Sequence, residues 1–246
     1  MRAVMSTATA GLMILHGIAA AAEIKVMIPP PMREALDVLI PGFERSTGHR
    51  VVAIRESSWL IVGRLEKGEV ADVVFLTAHA SDDLIKAGLL SRRIDLARSI
   101  MGIAVRSGAP KPYINTVDAF RQTLLKVKSF ARNEGADSGR FMVGLLERLG
   151  ITEEMKPKTT LVRQGHVALL VARGEVELAA QQMSELMAVA GVEATPLPAE
   201  IQYVIMFCAG VPAAPKAGPA VDELIKFLSS PEAAIVFKAK GLDPAR

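Results

Sequence analysis

A chain of 246 residues, half of them hydrophobic and 22% charged, has enough apolar side chains to bury a large core, as one domain or as two lobes of about a hundred residues. That composition excludes a disordered chain, and an aromatic content of 4% argues against a β-sandwich or a base-stacking surface. The formal net charge is +3 and the basic residues are spread without a run, so no nucleic acid is expected as a partner.

The first 22 residues read as a secretory signal peptide. Arg2 supplies a positive start, an apolar stretch follows through Leu12 and Leu15, and Ala20-Ala21-Ala22 before Glu23 satisfies the small-x-small cleavage pattern. The stretch is too short to span a bilayer, so cleavage near Ala22 and export are expected. No cysteine follows it, which excludes a lipid anchor on a cysteine there. Cys208 is the only cysteine, so no intrachain disulfide or cysteine metal site can form, and its apolar setting, VIMFCAG, reads as a buried thiol.

Residues 24–28, IKVMI, read as a short buried strand running into Pro29-Pro30-Pro31, a fixed turn. Residues 32–47 show helical spacing through Ala35, Leu36, Leu39 and Phe43, with a kink or break expected at Pro41-Gly42. A strand at 50–54, the loop Glu56-Ser57-Ser58 and a helix at about 59–67 follow; Trp59, in its first turn, reads as core, the alternative being a wall of the binding cleft. Next come the strand ADVVFL at 71–76, the turn Thr77-Ala78 and a helix at about 81–87 closed by Gly88. Unbroken apolar strands alternating with helices predict an α/β fold built on mostly parallel sheets covered on both faces.

A further strand is expected at 99–106, broken by SGAPKP, and Thr116 should cap the next helix. A short strand at 129–132 leads into GADSGRFMVGLLERLGI at 135–151, a polar turn that opens an amphipathic helix through Phe141, Met142, Leu145, Leu146 and Leu149. With Asp137 or Ser138 as N-cap, the free N–H groups of such a helix start can receive an anion. Beyond it, strands are expected near 159–162 and 176–181, and helices at 165–172 and from Ser184. Residues 190–200 read as connection, 201–211 as the most β-prone run, and two helices close the chain, the second capped by Ser230-Pro231-Glu232.

No nucleophile-elbow, P-loop, zinc-protease or dinucleotide-binding motif is present, so no enzyme is expected. His49, His79 and His166 stand far apart at turns or helix starts and read as solvated or capping residues. Asp82-Asp83 open a helix, where acids favour the dipole and adjacent positions do not face one another.

Taken in order, the AEIKV start, FERSTGHRV at 43–51, the serine loop before RLEKGEVADVVF at 64–75, SGRFMVGLLERLGI at 138–151 and IKFLSSPEAAIVFKAKGL at 225–242 resemble the molybdate-binding proteins of bacterial ABC importers. These belong to the two-lobed (type II) periplasmic binding protein class. The resemblance implies two lobes, 23–102 plus 211–246 and 103–210, each a mainly parallel sheet flanked by helices, joined by hinge strands around 99–106 and 201–210. It implies an exported periplasmic monomer without cofactor that binds a molybdate- or tungstate-type oxyanion between its lobes. Its partners would be the membrane permease and ATP-binding subunits of an importer.

Carried over position by position, the resemblance places the ligand at Pro31 and Met32, Ser57 and Ser58, Thr77 and Ala78, Ser138, Gly139 and Arg140, and Gln182, with a backbone donor near Gln164. Prolines stand where the family has a serine in the turn after the first strand, Gln182 stands where it has a tyrosine, and Asp137 lies beside the anion-receiving helix start. An altered anion, a di- or tricarboxylate held by Ser58, Arg140 and a glutamine, is the alternative ligand; an enzyme on the same fold is the alternative activity.

Overall fold

The computed structural model describes residues 21–245, so the leader expected at 1–22 lies outside the described residues but for its last two. The strands are β1 (Glu23–Ile28), β2 (Arg50–Arg55), β3 (Val73–Thr77), β4 (Arg92–Arg106), β5 (Phe130–Asn133), β6 (Thr159–Val162), β7 (Leu178–Gln182), β8 (Val192–Pro196), β9 (Val204–Val211) and β10 (Asp243–Pro244). The helices are α1 (Pro30–Thr47), α2 (Ser58–Glu66), α3 (Ala78–Lys86), α4 (Val117–Lys126), α5 (Asp137–Arg148), α6 (Thr152–Met155), α7 (Ala168–Ala172), α8 (Met183–Leu186), α9 (Gly218–Leu228) and α10 (Pro231–Ala239).

Two sheets share one long strand. In the first the order is β2-β1-β3-β9-β4, with β1, β2 and β3 parallel and β9 antiparallel to both neighbours. In the second, β5, β6 and β7 run parallel, while β4 is antiparallel to β7 and to β8 on its other side. The 15-residue β4 pairs with β9 up to Ile100 and with β7 from Met101 onward, so it carries the chain from one lobe into the other. The return crossing is at Gln202 and Tyr203, immediately before β9.

Each sheet is covered on both faces because its strands are apolar at odd and even positions alike. In the first lobe Val26, Ile28, Val73 and Phe75 join the core under α1, α9 and α10, whereas Met27, Val74 and Leu76 pack with Ile61, Leu65 and Leu84 of α2 and α3. In the second lobe Phe130, Leu178 and Ala180 meet α4 and α5, and Ala131 and Ala179 meet α7 and α8.

Gln202 ties the crossings together. Its Oε1 accepts from the N–H of Met101 at 2.8 Å and of Tyr203 at 2.9 Å, and its Nε2 donates to the carbonyls of Met101 at 3.1 Å and Leu197 at 3.2 Å. Gln202→Ala leaves the N–H of Tyr203 and the carbonyl of Leu197 without this partner, while Met101 keeps its backbone bonds to Tyr203 and Leu197, and it is expected to cost about 2 kcal/mol in urea unfolding; an unchanged midpoint would show that water replaces the amide at no cost.

Several elements differ from the sequence-based expectation. α1 runs unbroken through Pro41, which sits on the exposed face, where the carbonyl it leaves unpaired can turn to water while the apolar stripe from Met32 to Phe43 anchors the helix on both sides of it. β4 begins seven residues earlier than expected: Arg92 and Arg93 read as polar, but they pair with Asp222 and Asp82 while their backbone pairs with β9. The helix expected from Gly165 starts at Ala168, because the side chains of Gln181 and Asn133 take the carbonyl of Gly165 and Gln181 also takes the N–H of Val167. Within the expected connection at 190–200, β8 forms on the free side of β4. α5 begins after Ala136, without a side-chain cap, so that Asp137 is its first residue rather than its cap.

Candidate functional site

The parallel strands of both sheets end at the same place. Thr77, at the end of β3, lies opposite Phe207 near the start of β9, and Gln182, at the end of β7, lies opposite Met101, where β4 changes sheets. In open α/β sheets the crevice beyond the carboxyl ends of the strands is where ligands bind. Here two such crevices face one junction, bounded by Pro29 to Arg33 after β1, Ser57 after β2, Thr77 to Ser81 after β3, and, from the second lobe, the segments that follow β5, β6 and β7.

The segments at these strand ends and at the crossing carry polar atoms without partners. Ser57 Oγ, Ser81 Oγ, Ser99 Oγ, His166 Nδ1, Gln182 Oε1, Ser184 Oγ and Arg33 Nε are buried and make no hydrogen bond. They are seven of the nine such side-chain atoms found among the described residues, and a buried unsatisfied group costs about 1 to 3 kcal/mol.

The second-lobe wall is pinned by two side-chain amides. Asn133 Nδ2 donates to the carbonyls of Val162 and Gly165, and Asn133 Oδ1 accepts from Ser138 Oγ at 3.4 Å. Gln181 takes the N–H of Val167 on Oε1 at 3.0 Å and donates from Nε2 to the Gly165 carbonyl at 3.2 Å and to Glu185 Oε1 at 2.7 Å. The loop carrying His166 is thereby fixed to α8.

Burial, and then the charge of Arg33, hold His166 below the usual imidazole range, against Glu34 and a hydrogen bond to the Glu185 backbone that work the other way. Its ring is therefore neutral at physiological pH. Burial pushes the Glu185 carboxyl up to about 8, with Arg33 and Gln181 acting against the shift. At neutral pH this carboxyl keeps its proton, so it adds no negative charge to the junction. Arg33, in the first turn of α1, is the cation from the first lobe that acts on both groups.

The residues singled out in the sequence divide among several roles. Ser57 precedes α2 and does not cap it, so its buried hydroxyl stays free, and Ser58 beside it is half-buried. Thr77 is turned inward to its own helix, where Oγ1 accepts from Ala80 N at 3.2 Å, and Ala78 starts α3 next to it. Pro31 and Met32 form an apolar wall: Met32 belongs to the first-lobe core and its N–H goes to the carbonyl of Pro29 at 3.1 Å.

At the α5 start Ser138 is buried against Asn133, and Gly139 seats the helix directly on the end of β5. Arg140 is exposed and pairs with Asp137 and the Gly135 carbonyl, so the carboxylate beside the helix start is neutralised by a residue one turn on. Gln182 is 4% exposed and its Oε1 is free, whereas Gln164 is exposed.

Sequence reasoning missed Arg33, Ser81, Ser99, Ser184 and Glu185, and it read His166 as solvated or capping when the ring is half-buried at the junction. The one available signal was the polar cluster QQMSE at the end of an apolar strand. His49 is likewise buried, accepting from Ala22 N at 3.0 Å and facing Glu223 at 3.3 Å; His79 is exposed beside Asp83. Trp59 is not core: it is 62% exposed on the outer side of α2. Cys208 is buried as expected, and burial together with Asp95 pushes its thiol up to about 12, far from a reactive thiolate. Asp82 and Asp83 are engaged with Arg93 and Lys86.

A family model for bacterial extracellular solute-binding proteins matches residues 24–243. An aconitate isomerase from Pseudomonas sp is 32% identical over 212 residues, which are 83% of this chain and 81% of that protein. The molybdate-binding protein ModA of Azotobacter vinelandii is 26% identical over 234 residues, 91% and 90% of the two chains. The structure of the Azotobacter vinelandii periplasmic molybdate-binding protein superposes with a TM-score of 0.75 at 18% identity, covering 89% of this chain and 98% of that one. L-phospholactate-bound PEB3, a Campylobacter jejuni protein, superposes with a TM-score of 0.68 at 17% identity, over 89% and 99%. With two α/β lobes joined by crossing strands and the family match running through both of them, the chain belongs to the bacterial extracellular solute-binding proteins and has the periplasmic binding protein fold.

Proposed function

We propose that this chain is the exported receptor of an ABC importer, that it holds a small anion at the lobe junction, and that the anion is a di- or tricarboxylate in preference to molybdate or tungstate. The observation carrying this reading is the set of buried, unpartnered hydroxyls of Ser57, Ser81, Ser99 and Ser184, with Arg33 as the cation among the same unpartnered groups. Neutral donors from two lobes can enclose an anion without a neutralising cage, and closure by hinge motion about the crossings would complete their hydrogen bonds.

Two features favour a carboxylate. The turn after β1 offers no donor to a compact tetrahedral oxyanion, since Pro29, Pro30 and Pro31 have no N–H and Met32 N is committed to Pro29. The polar groups also come from well-separated segments, Arg33, Ser57, Gln182 and Ser184, as an elongated ligand with several charged ends requires. The aconitate isomerase and the L-phospholactate-bound protein point the same way, while the ModA likeness supports the oxyanion as the second reading. The receptor releases its ligand to a permease driven by ATP-binding subunits, acts outside the cytoplasm after leader cleavage, and works as a monomer.

A thermal-shift screen of residues 23–246 against citrate, aconitate, succinate, molybdate, tungstate, sulfate and phosphate tests this directly, because a ligand that prefers the folded state raises the melting temperature by mass action. A carboxylate should give the largest shift; a larger one from molybdate would restore the oxyanion reading, and no shift at millimolar concentration would end the receptor reading. Ser57→Ala should weaken the best ligand by about 1 to 3 kcal/mol, roughly 5- to 150-fold, in calorimetric titration. Unchanged affinity would remove Ser57 from the site.

A further inference from the structure

We infer that the junction takes up a proton together with its anion: Glu185, on α8, is ionised while the lobes are apart and protonated once they close, so that ligand and proton bind and leave together. This rests on the receptor reading above and adds what regulates that same site.

α8 is a second-lobe helix with cover from the first lobe. It follows β7 directly, yet α1 packs on it. The turn between α10 and β10 also comes from the first lobe, and a Cβ on its Gly241 would stand 3.1 Å from Ser184 N and 3.2 Å from the carbonyl carbon of Met183. On the second-lobe side Met183 lies against Gly102, just past the point where β4 changes sheets. Between these surfaces Glu185 is 6% exposed, and its Oε1 accepts from Gln181 Nε2 at 2.7 Å. Parting of the lobes about the crossings draws α1 and the Gly241 turn off α8 and lets water reach the carboxyl.

The charged groups around Glu185 leave one cation in play. Arg33 of α1 acts on the carboxyl, and Arg33 and Glu34 both act on His166. β7 presents the uncharged Gln181. On the other elements packed against α8, Arg98 of β4 is paired with Asp243 and Glu193 of β8 accepts from Gly108 N. The α10–β10 turn carries the half-buried Lys240 beside Gly241.

An ionised Glu185 would compete with the ligand for Arg33. Closing on an anion over that carboxylate would bury two like charges beside one cation, which burial penalises heavily. The protonated carboxyl still accepts from Gln181 and leaves Arg33 to the ligand. The uptake needs no co-reactant, because the carboxylate takes its proton from the buffer on closing and returns it on opening.

The sign of the pH dependence follows. Opened to water, the carboxyl titrates in the ordinary carboxylate range; closed, burial holds it at about 8. Between those values the closed form carries one more proton, so affinity falls about 10-fold for each unit of pH gained. Below that window Glu185 is protonated in both forms, above it ionised in both, and the dependence vanishes.

The test is calorimetric titration of residues 23–246 with citrate, aconitate and molybdate, in HEPES and in Tris at pH 7, run beside thermal shift. The two buffers release different heats on losing a proton, so the difference in observed heat counts the protons taken up. The wild type should take up about one proton per anion bound, and its affinity should fall about 10-fold from pH 6 to pH 7. Glu185→Gln cannot ionise and should lose that proton and that slope, retaining only what the ligand and His166 contribute. Glu185→Leu serves as the second replacement if Glu185→Gln fails to fold. A wild type whose proton count and slope match those of the variant overturns this inference and leaves the receptor reading standing. Absence of both heat and thermal shift with all three anions at millimolar concentration removes the receptor reading and this device with it.

Discussion

Gly139→Ala is expected to destabilise the protein by about 3 kcal/mol or more, one of the largest losses any single methyl could cause here. A Cβ at Gly139 would fall deep inside van der Waals contact with the carbonyl oxygen of Asn133 and 2.8 Å from its carbonyl carbon. The obstacle is backbone, which cannot swing aside as a side chain can. To make room, α5 must lift off the end of β5, which breaks the bond from Ser138 to Asn133 and loosens the loop that Asn133 holds at Gly165. Gly144, in the same helix with nothing within 4 Å of its Cβ direction, provides the control: alanine there should be neutral or stabilising by up to about 1 kcal/mol. Urea unfolding of the two variants decides it, and equal midpoints would mean that the α5 seat is not the close contact described.

The second large effect is a pH dependence. A carboxyl whose folded pKa lies at about 8, against the model value of 4.5, favours the native state in its protonated form. The native chain then binds more protons than the unfolded chain between those values, so the contribution of Glu185 is complete below pH 4.5 and is lost as pH rises through 8. By linkage the loss is about 5 kcal/mol. Arg33 from α1 and the amide of Gln181 act against the shift. Glu185→Gln keeps an acceptor for Gln181 and removes the ionisation, so it should match the wild type near pH 5 and exceed it by several kcal/mol near pH 9. Melting curves of the two proteins that stay parallel across that range would show that Glu185 is not desolvated as its position in α8 implies.

Most of the layer order was legible before any coordinates. The strands at Val26, Phe75, Phe130 and Leu178 are apolar on both faces, and that pattern requires helices on both sides of a parallel sheet. Caps announced helix starts at Thr116 and Ser230, whose oxygens accept from Ala119 and Ala233. Local reading failed where distant groups changed the outcome. Residues 165–167 have helical periodicity, yet their backbone is taken by Asn133 and Gln181 from two other strands, and β8 exists only because one side of β4 was unpaired.

The candidate site divides along the same line. Ser57 and Gln182 were reached through the family resemblance, and the fold places them just after β2 and at the last position of β7. Nothing local distinguishes Ser99 from any other serine in a strand, or His166 from a solvated histidine, because a lone pair is orphaned only by what the rest of the chain packs around it. Thus hydrophobic periodicity along the chain determined the layering of helices on sheets and the order of the elements, since burial of apolar faces is a property of neighbouring residues, while the division into two lobes was implied only by the family resemblance. Tertiary packing alone decided which polar atoms were left without partners and which carboxyl kept its proton, since desolvation depends on groups brought from more than a hundred residues away, as Arg33 is to Glu185.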